Sequence, residues 1–231
     1  EASFMVLTDG EHVVPLAGAR DHKRVFDGDR GPNTGGMGAY SPTPLLDEAT
    51  RDAVLASVIR PTLGELARRG IPFQGVLYAG LMFTANGPRV LEFNCRFGDP
   101  ETQPVLYRLR GDLAEAMIAC TEGRLDRVPL TFDPRPAVCV VLAAGGYPDT
   151  PRTGDAISGL DVAGRIPDTR VFHAGTRRLA DGTVVTTGGR VLGVTATGAD
   201  FAQARARAYE ATRCIRFEGM QYRSDIGASA G

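Results

Sequence analysis

The stretch RVLEFNCRFGDPETQP, residues 89–104, places Glu92, Asn94, Arg96, Asp99 and Glu101 where a strand gives way to a helix start. Strand side chains alternate between faces, so Glu92 and Asn94 share one side and Leu91, Phe93 and Cys95 the other. A carboxylate and an amide oxygen two residues apart can share a hard cation such as Mg²⁺, which draws its remaining oxygens from water and phosphate. The wet face of an antiparallel sheet shows the same pattern. Arg96 continues the parity of Glu92 if the strand persists. Beside a cation its planar guanidinium suits a phosphate or carboxylate; beside Asp99 or Glu101 it suits a surface ion pair. Asp99 and Pro100 read as N-cap and first residue of a helix, which leaves Glu101 and Gln103 to face a ligand. Cys95, on the apolar side, is expected to pack.

A second set of groups lies in GARDHKRVFDGDRGPNTGGMGAYSP, residues 18–42. Arg20, His22, Lys23 and Arg24 cluster there. Gly31, Gly35, Gly36 and Gly38 offer backbone that can approach a ligand closely and aim N–H groups at anionic oxygens. A mobile surface loop has the same composition. The phosphate-loop pattern GxxxxGK[ST] is absent, and the glycines lack the spacing and the strand-turn-helix setting of a dinucleotide fingerprint. His22 can touch phosphate or serve structure alone, and His173, on a short strand, reads as structural.

The elements that must position these groups follow from periodicity. SFMVLTDGEHVVPLA reads as two strands joined at Asp9-Gly10-Glu11. From Asp47 to Arg69, Val54, Leu55, Val58, Ile59, Leu63 and Leu66 recur at helical spacing, with Pro61 as a kink. GVLYAGLMF is nearly all apolar, which predicts a central strand, and NGPRVLEFN returns beside it through Asn86-Gly87. A helix is expected over about Asp112–Thr121 with Gly123 as its stop. The Pro-rich DRVPLTFDPRP marks a domain boundary. Beyond it come a buried strand, AVCVVLAAGGYP, three short strands between Arg170 and Gly198, and an amphipathic helix capped by Asp200. The fold class expected is α+β.

Of 231 residues, 43% are hydrophobic and 23% charged, and Lys+Arg 26 against Asp+Glu 27 leaves a net charge of −1. No positive excess argues for nucleic acid or an anionic membrane. No apolar run is long enough to span a bilayer. The four cysteines lack CxxC spacing and the three histidines are dispersed, so a zinc site is not expected and free thiols in a reducing cytoplasm are. The chain opens on EASFMVL, an alternating strand without an initiator Met, and is expected to be the later part of a longer protein.

Taken together, EASF, DHKR, GPNTGGMGAYSP, LYAGLM, EFNCRFGDPETQP, AAGGYP, FHAGT and GGRVL resemble the glycinamide ribonucleotide synthetases (phosphoribosylamine–glycine ligases), ATP-grasp enzymes of purine biosynthesis. The resemblance covers nearly the whole chain in order. It implies the second half of an ATP-grasp catalytic domain over 1–128, mostly antiparallel sheet with helices, a linker over 129–136, and a small α+β C-terminal domain over 137–231. It implies ATP with Mg²⁺ or Mn²⁺ as cofactors, and glycine and 5-phosphoribosylamine as substrates. The family roles fall on Glu92 and Asn94 for the cation, on Glu1 for the ATP ribose, and on Lys23 and Arg24 for phosphate oxygens. Arg96 and Lys23 become the catalytic residues, Arg96 at the acyl phosphate or the amino-acid carboxylate. Asp99 and Glu101, with Arg96, Gly35 and Gly36, become substrate-binding residues. The missing N-terminal half of the same protein is the expected partner, and this chain alone is expected not to complete the reaction. Another ATP-grasp ligase or carboxylase shares Glu-x-Asn-x-Arg, and a non-catalytic nucleotide-binding module could retain the fold; GPNTGGMGAYSP and GDPETQP favour the glycine ligase.

Overall fold

In the structure, a computed structural model that describes residues 1–230, fifteen strands and six helices follow one another. The strands of the first half are β1 (Ala2–Thr8), β2 (Val13–Pro15), β3 (Arg20–Asp21), β4 (Arg24–Phe26), β5 (Arg30–Asn33), β6 (Gly38–Ser41), β7 (Gly75–Thr84) and β8 (Gly87–Asn94). The second half adds β9 (Leu109–Arg110), β10 (Thr131–Phe132), β11 (Ala137–Ala143), β12 (Thr169–His173), β13 (Thr176–Arg178), β14 (Val184–Thr186) and β15 (Arg190–Thr197). The helices are α1 (Glu48–Val54), α2 (Arg60–Arg68), α3 (Thr102–Tyr107), α4 (Leu113–Glu122), α5 (Leu160–Ala163) and α6 (Phe201–Cys214). Among the described residues no helix is long and apolar enough to cross a membrane.

Two compact units divide the chain, and they interleave: residues 1–20, 42–98 and 109–134 form the first, residues 21–41, 99–108 and 135–231 the second. The first unit holds an antiparallel sheet in the order β2-β1-β7-β8. Phe4 pairs with Ala79 and Val6 with Leu77, which puts these four and Leu81 on one face, packed on Val54, Ile59 and Leu63 of the helical layer. β7 is central, and its nearly unbroken apolar run is buried over Val76–Leu81, as its composition predicts. Asp47 caps α1 by accepting the Thr50 N–H at 2.8 Å. A π-helical turn over Leu55–Ile59 joins α1 to α2, with Arg60 N–H donated five residues back to Leu55 O. This wider turn sits just before Pro61 and eases the clash of its ring with the carbonyl four residues back, so the helix runs on where the sequence predicts a kink. α4 is capped by Asp112 and, as expected, stops at Gly123, which is in the left-handed conformation.

The β1–β2 turn is fastened by one buried carboxylate. Asp9 accepts N–H groups from Glu11 (3.0 Å), His12 (2.6 Å) and Leu125 (3.0 Å), and meets His12 Nδ1 at 3.0 Å. Burial alone would raise its pKa, but these donors outweigh burial and hold it at about 2. The same contact raises the His12 imidazole.

The second unit is built on β12-β15-β11-β6, with β3 at the edge. Val140 pairs with Val194, and Val138 with Tyr40. That face carries the core with Ala204, Ala208 and Ala211 of α6, which is capped by Asp200 as the sequence predicts. β6 lies inside the stretch read as an irregular loop. Four residues, Gly38–Ser41, become a buried strand only because β11, about a hundred residues on, supplies their ladder. This pairing is why residues 21–41 belong with the chain beyond 135.

Candidate functional site

In the first unit, Glu92 stands opposite Gly80 and Asn94 opposite Tyr78, so the two share a face of β8. A Cβ at Gly80 would lie 3.3 Å from Glu92 Cγ; the glycine leaves the carboxylate its room. Asn94 Nδ2 donates to Glu92 Oε1 at 3.3 Å, and Arg96 Nη2 donates to Asn94 Oδ1 at 3.4 Å. β8 stops at Asn94, so Arg96 joins this set from the following bend and not by strand parity; its Nη1 also donates to Phe97 O at 2.9 Å. Glu1 lies exposed just ahead of β1.

The opposite side of β8 differs from expectation. The register slips between Gly80 and Leu81, so Glu92 pairs with Gly80 and Val90 with Leu81, and Leu91 is left over as a bulge. Leu91 is 49% exposed, Phe93 41%, and Cys95 is exposed too, whereas the sequence places all three in an apolar interior. The reason is position: β8 is the edge strand, and the core under α1 and α2 is drawn from β1 and β7.

In the second unit, the backbone around Lys23 is fixed against the glycine-rich segment. Lys23 O accepts from Thr34 N at 2.7 Å and Thr34 Oγ1 at 2.8 Å, His22 N–H donates to Gly38 O, and Met37 N–H to His22 O. Arg24 is exposed and turns its Nη1 onto Gly31 O at 2.6 Å, closing its own β4–β5 hairpin. Beneath that hairpin lies Arg223, 1% exposed. Its Nε and Nη2 grip Asp225 at 2.7 Å each, and its Nη1 donates to Asp29 Oδ1 at 2.7 Å and Arg24 O at 3.1 Å. Gly28 N–H donates to Asp225 Oδ2 and Ser224 N–H to Asp27 Oδ1, each at 2.8 Å. Burial would raise the Asp225 carboxyl, but Arg223 and the Gly28 N–H overcome it and hold it far below the carboxylate range. Asp29 is lowered mainly by the same guanidinium.

Gly35 and Gly36 meet Asp99 in this unit. Arg190 Nη1 donates to Gly35 O at 2.7 Å and to Asp99 O at 2.6 Å, and its Nη2 lies 3.3 Å from Asp99 Oδ2. Gly35 N–H donates to Tyr147 Oη at 2.9 Å, and Gly36 N–H to Thr34 Oγ1 at 2.9 Å. Both N–H groups are therefore committed within the protein, so the loop presents its shape and not a nest of free donors. Asp99 is not the N-cap the sequence suggests. α3 starts at Thr102 after Glu101, and the Asp99 carboxylate instead takes Gln103 Nε2 at 3.0 Å and faces Arg190. Glu101 is only 3% exposed. His173 is exposed and pairs with Thr176 Oγ1 at 2.9 Å, a contact within its own turn. Tyr147 and Arg190 lie beyond the Pro-rich boundary, among residues the sequence does not single out. Each follows a glycine pair, GGYP and GGRV, and those pairs were the available signal.

Chemically, the first unit offers two oxygen donors on one strand face with a guanidinium beside them, a set that fits a hard divalent cation. Among the described residues no three His, Cys, Asp or Glu side chains cluster for a metal, so water and phosphate would complete such a shell. The second unit offers the Lys23 segment, a shaped glycine loop and the Asp99 carboxylate.

Residues 1–102 match the family described as phosphoribosylglycinamide synthetase, ATP-grasp (A) domain, and residues 137–229 match its C domain. Among curated relatives, the phosphoribosylamine–glycine ligase of Rhodopirellula baltica is 54% identical over the whole chain, which covers 53% of that relative. The ligase of Streptomyces coelicolor is 55% identical, with 56% of its length covered. The chain thus spans about half the length of the curated relatives it matches. The crystal structure of phosphoribosylamine–glycine ligase from Thermotoga maritima aligns with a TM-score of 0.86 at 37% identity, over 97% of this chain and 55% of that one. The biotin carboxylase domain of Hydrogenobacter thermophilus 2-oxoglutarate carboxylase, solved with MgADP and bicarbonate, aligns with a TM-score of 0.66 at 16% identity over 95% of this chain and 46% of that one, a likeness of fold alone.

Proposed function

Since the chain belongs to the phosphoribosylglycinamide synthetase family, we propose that it forms part of an ATP-dependent ligase that joins glycine to 5-phosphoribosylamine. The observation that carries this reading is the Glu92–Asn94 pair of oxygen donors on one face of β8. In the reaction, the glycine carboxylate takes the γ-phosphoryl group of ATP to give glycyl phosphate and ADP. The amine of 5-phosphoribosylamine then attacks the acyl carbon, the C–O bond to phosphate breaks, and the amide forms with release of phosphate and a proton.

The barrier to the first step is electrostatic, because two anionic groups must meet in line. Glu92 and Asn94 would hold a divalent cation, Mg²⁺ or Mn²⁺, that neutralises phosphate charge when bound. Arg96, already turned onto Asn94, would face the carboxylate being phosphorylated. Lys23 and Arg24 would meet phosphate oxygens, and Glu1 the ATP ribose. The Asp99 carboxylate, with Glu101 and the Gly35–Gly36 loop, would receive the amine substrate. No nucleophilic side chain is required.

The test is ADP release by the full-length polypeptide in the presence of both glycine and 5-phosphoribosylamine, with Glu92→Ala and Asn94→Ala compared. Release that depends on both substrates and on a divalent cation, and that collapses in both variants, is expected. Undiminished release in both variants, or release indifferent to either substrate, would overturn the reading. The 231-residue chain alone is expected to be inactive.

A further inference from the structure

Gly35, Gly36 and Gly189 look alike in the sequence, yet each is glycine for a different reason. Gly36 has φ +117°, and a Cβ there would lie 2.3 Å from Pro100 Cδ, so both its conformation and its surroundings demand glycine. Gly189 has no left-handed backbone; a Cβ would strike the Tyr147 ring at 2.3 Å. Gly35 is also outside the left-handed region, and what occupies its Cβ position is the Arg190 guanidinium: Cζ at 2.9 Å, Nη2 at 3.0 Å and Nε at 3.1 Å. The space a side chain at 35 would need is taken by a guanidinium 155 residues away, which a methyl there would push off its contacts.

The three glycines therefore describe one assembly. Gly189 makes room for the Tyr147 ring, whose hydroxyl takes the Gly35 N–H; the next residue, Arg190, takes the Gly35 carbonyl. The same guanidinium nitrogen takes the Asp99 carbonyl, and a second nitrogen faces the Asp99 carboxylate. One guanidinium thus fixes the distance between the glycine loop and Asp99. A planar fork of donors does this with less loss of freedom than a flexible ammonium.

We propose that Arg190 is a positioning residue that sets the Gly35–Gly36 loop against Asp99 for binding of the amine substrate, and that Gly35 is its steric complement. The proposal rests on the substrate-binding role given above to that loop and to Asp99. In the full-length protein, Arg190→Ala and Gly35→Ala are each expected to raise the KM for 5-phosphoribosylamine about tenfold or more, with the KM for ATP unchanged. Arg190→Lys keeps the charge and recovers part of the loss. The double variant is expected to be no worse than Arg190→Ala alone, because the added methyl then has no guanidinium to displace. Additive effects in the double variant, or a KM untouched by Gly35→Ala, would overturn the proposal.

Thermal midpoints of the wild type, Arg190→Ala, Gly35→Ala and the double variant separate it from the functional reading. Gly35→Ala should lower the midpoint when Arg190 is present and leave it nearly unchanged in the Arg190→Ala background. If that coupling appears but the wild-type protein does not ligate glycine, the functional reading fails and the Arg190–Gly35 complementarity stands. If the wild type ligates and the coupling is absent, the complementarity fails.

Discussion

β8 in the first unit and the β4–β5 hairpin in the second both carry groups suited to phosphate chemistry, and they hold them in opposite ways. β8 is fixed by its ladder to β7, while its polar side chains touch one another only at 3.3–3.4 Å and face solvent. The hairpin is short and irregular, and its backbone is held from beneath by side chains, with Arg223, Asp225 and Asp29 bonded at 2.7 Å. In β8 the backbone is the scaffold and the side chains only stand on it. In the hairpin the side chains are the scaffold. Stability and function should therefore separate in the first region and travel together in the second.

The largest expected effect tests that separation directly. Glu92→Ala should lower turnover of the full-length protein by about 10²-fold or more, a typical loss when charge stabilisation at a reacting group is removed. Its unfolding free energy should stay within about 0.5 kcal/mol of wild type, as for other exposed positions. A large stability loss would mean that β8 relies on its polar side chains after all.

Next comes Arg223→Met, which leaves Asp225 and, in the hairpin turn itself, Asp29 without their guanidinium partner. Breaking a buried pair costs about 3–5 kcal/mol; Arg223 is buried but the Asp29 side chain is 59% exposed and that of Asp225 28%, so urea denaturation should show a loss nearer 2–3 kcal/mol. Arg223→Lys, which keeps the charge but not the fork, should lose less. Equal losses in both would point to the fork's geometry as the clamp, and no loss in Arg223→Lys to charge alone.

The Asp9 turn gives a pH signature confined to the first unit. Its folded pKa of about 2 lies below the ordinary 3.8, so its contribution, about 2 kcal/mol, is complete above about pH 5 and fades as pH falls toward 2. His12 is raised, so its contribution is complete below 6.5 and fades as pH rises through its folded value. Chemical denaturation between pH 2 and 5 should show the acid limb, and Asp9→Asn should remove it. The smallest effect belongs to the bare side of β8. Phe93→Ala should change the stability of this chain by under about 1 kcal/mol, against about 3–5 kcal/mol for the fully buried Phe4→Ala.

What the sequence revealed and what it hid follow the same division. The central strand β7, the helix starts near Asp47 and Asp112, the cap Asp200, and the shared face of Glu92 and Asn94 are local consequences of periodicity and capping, and all appear in the structure. The exposure of Phe93 and Cys95 was not legible, because alternation reports sidedness and not whether a helix covers that side. The bulge at Leu91 leaves no mark in composition. Asp99 carries the signature of a cap, but its carboxylate is drawn to Gln103 and to Arg190, 91 residues away. The strand β6 and the Arg190–Tyr147 assembly depend on partners far along the chain, and no local period can encode them.

The clamp beneath the hairpin also has a consequence for how the chain is made. Residues 24–29 are translated before the groups that lock them, because Arg223 and Asp225 come nearly two hundred residues later. Until those residues leave the ribosome, the Lys23 segment has its sequence but not its support. A polypeptide that stops short of residue 223 can form β1, β7 and most of β11 and β15 and still lack that support. The clamp thus couples completion of synthesis to completion of the segment, so that prematurely ended chains are the ones that leave the hairpin unbraced.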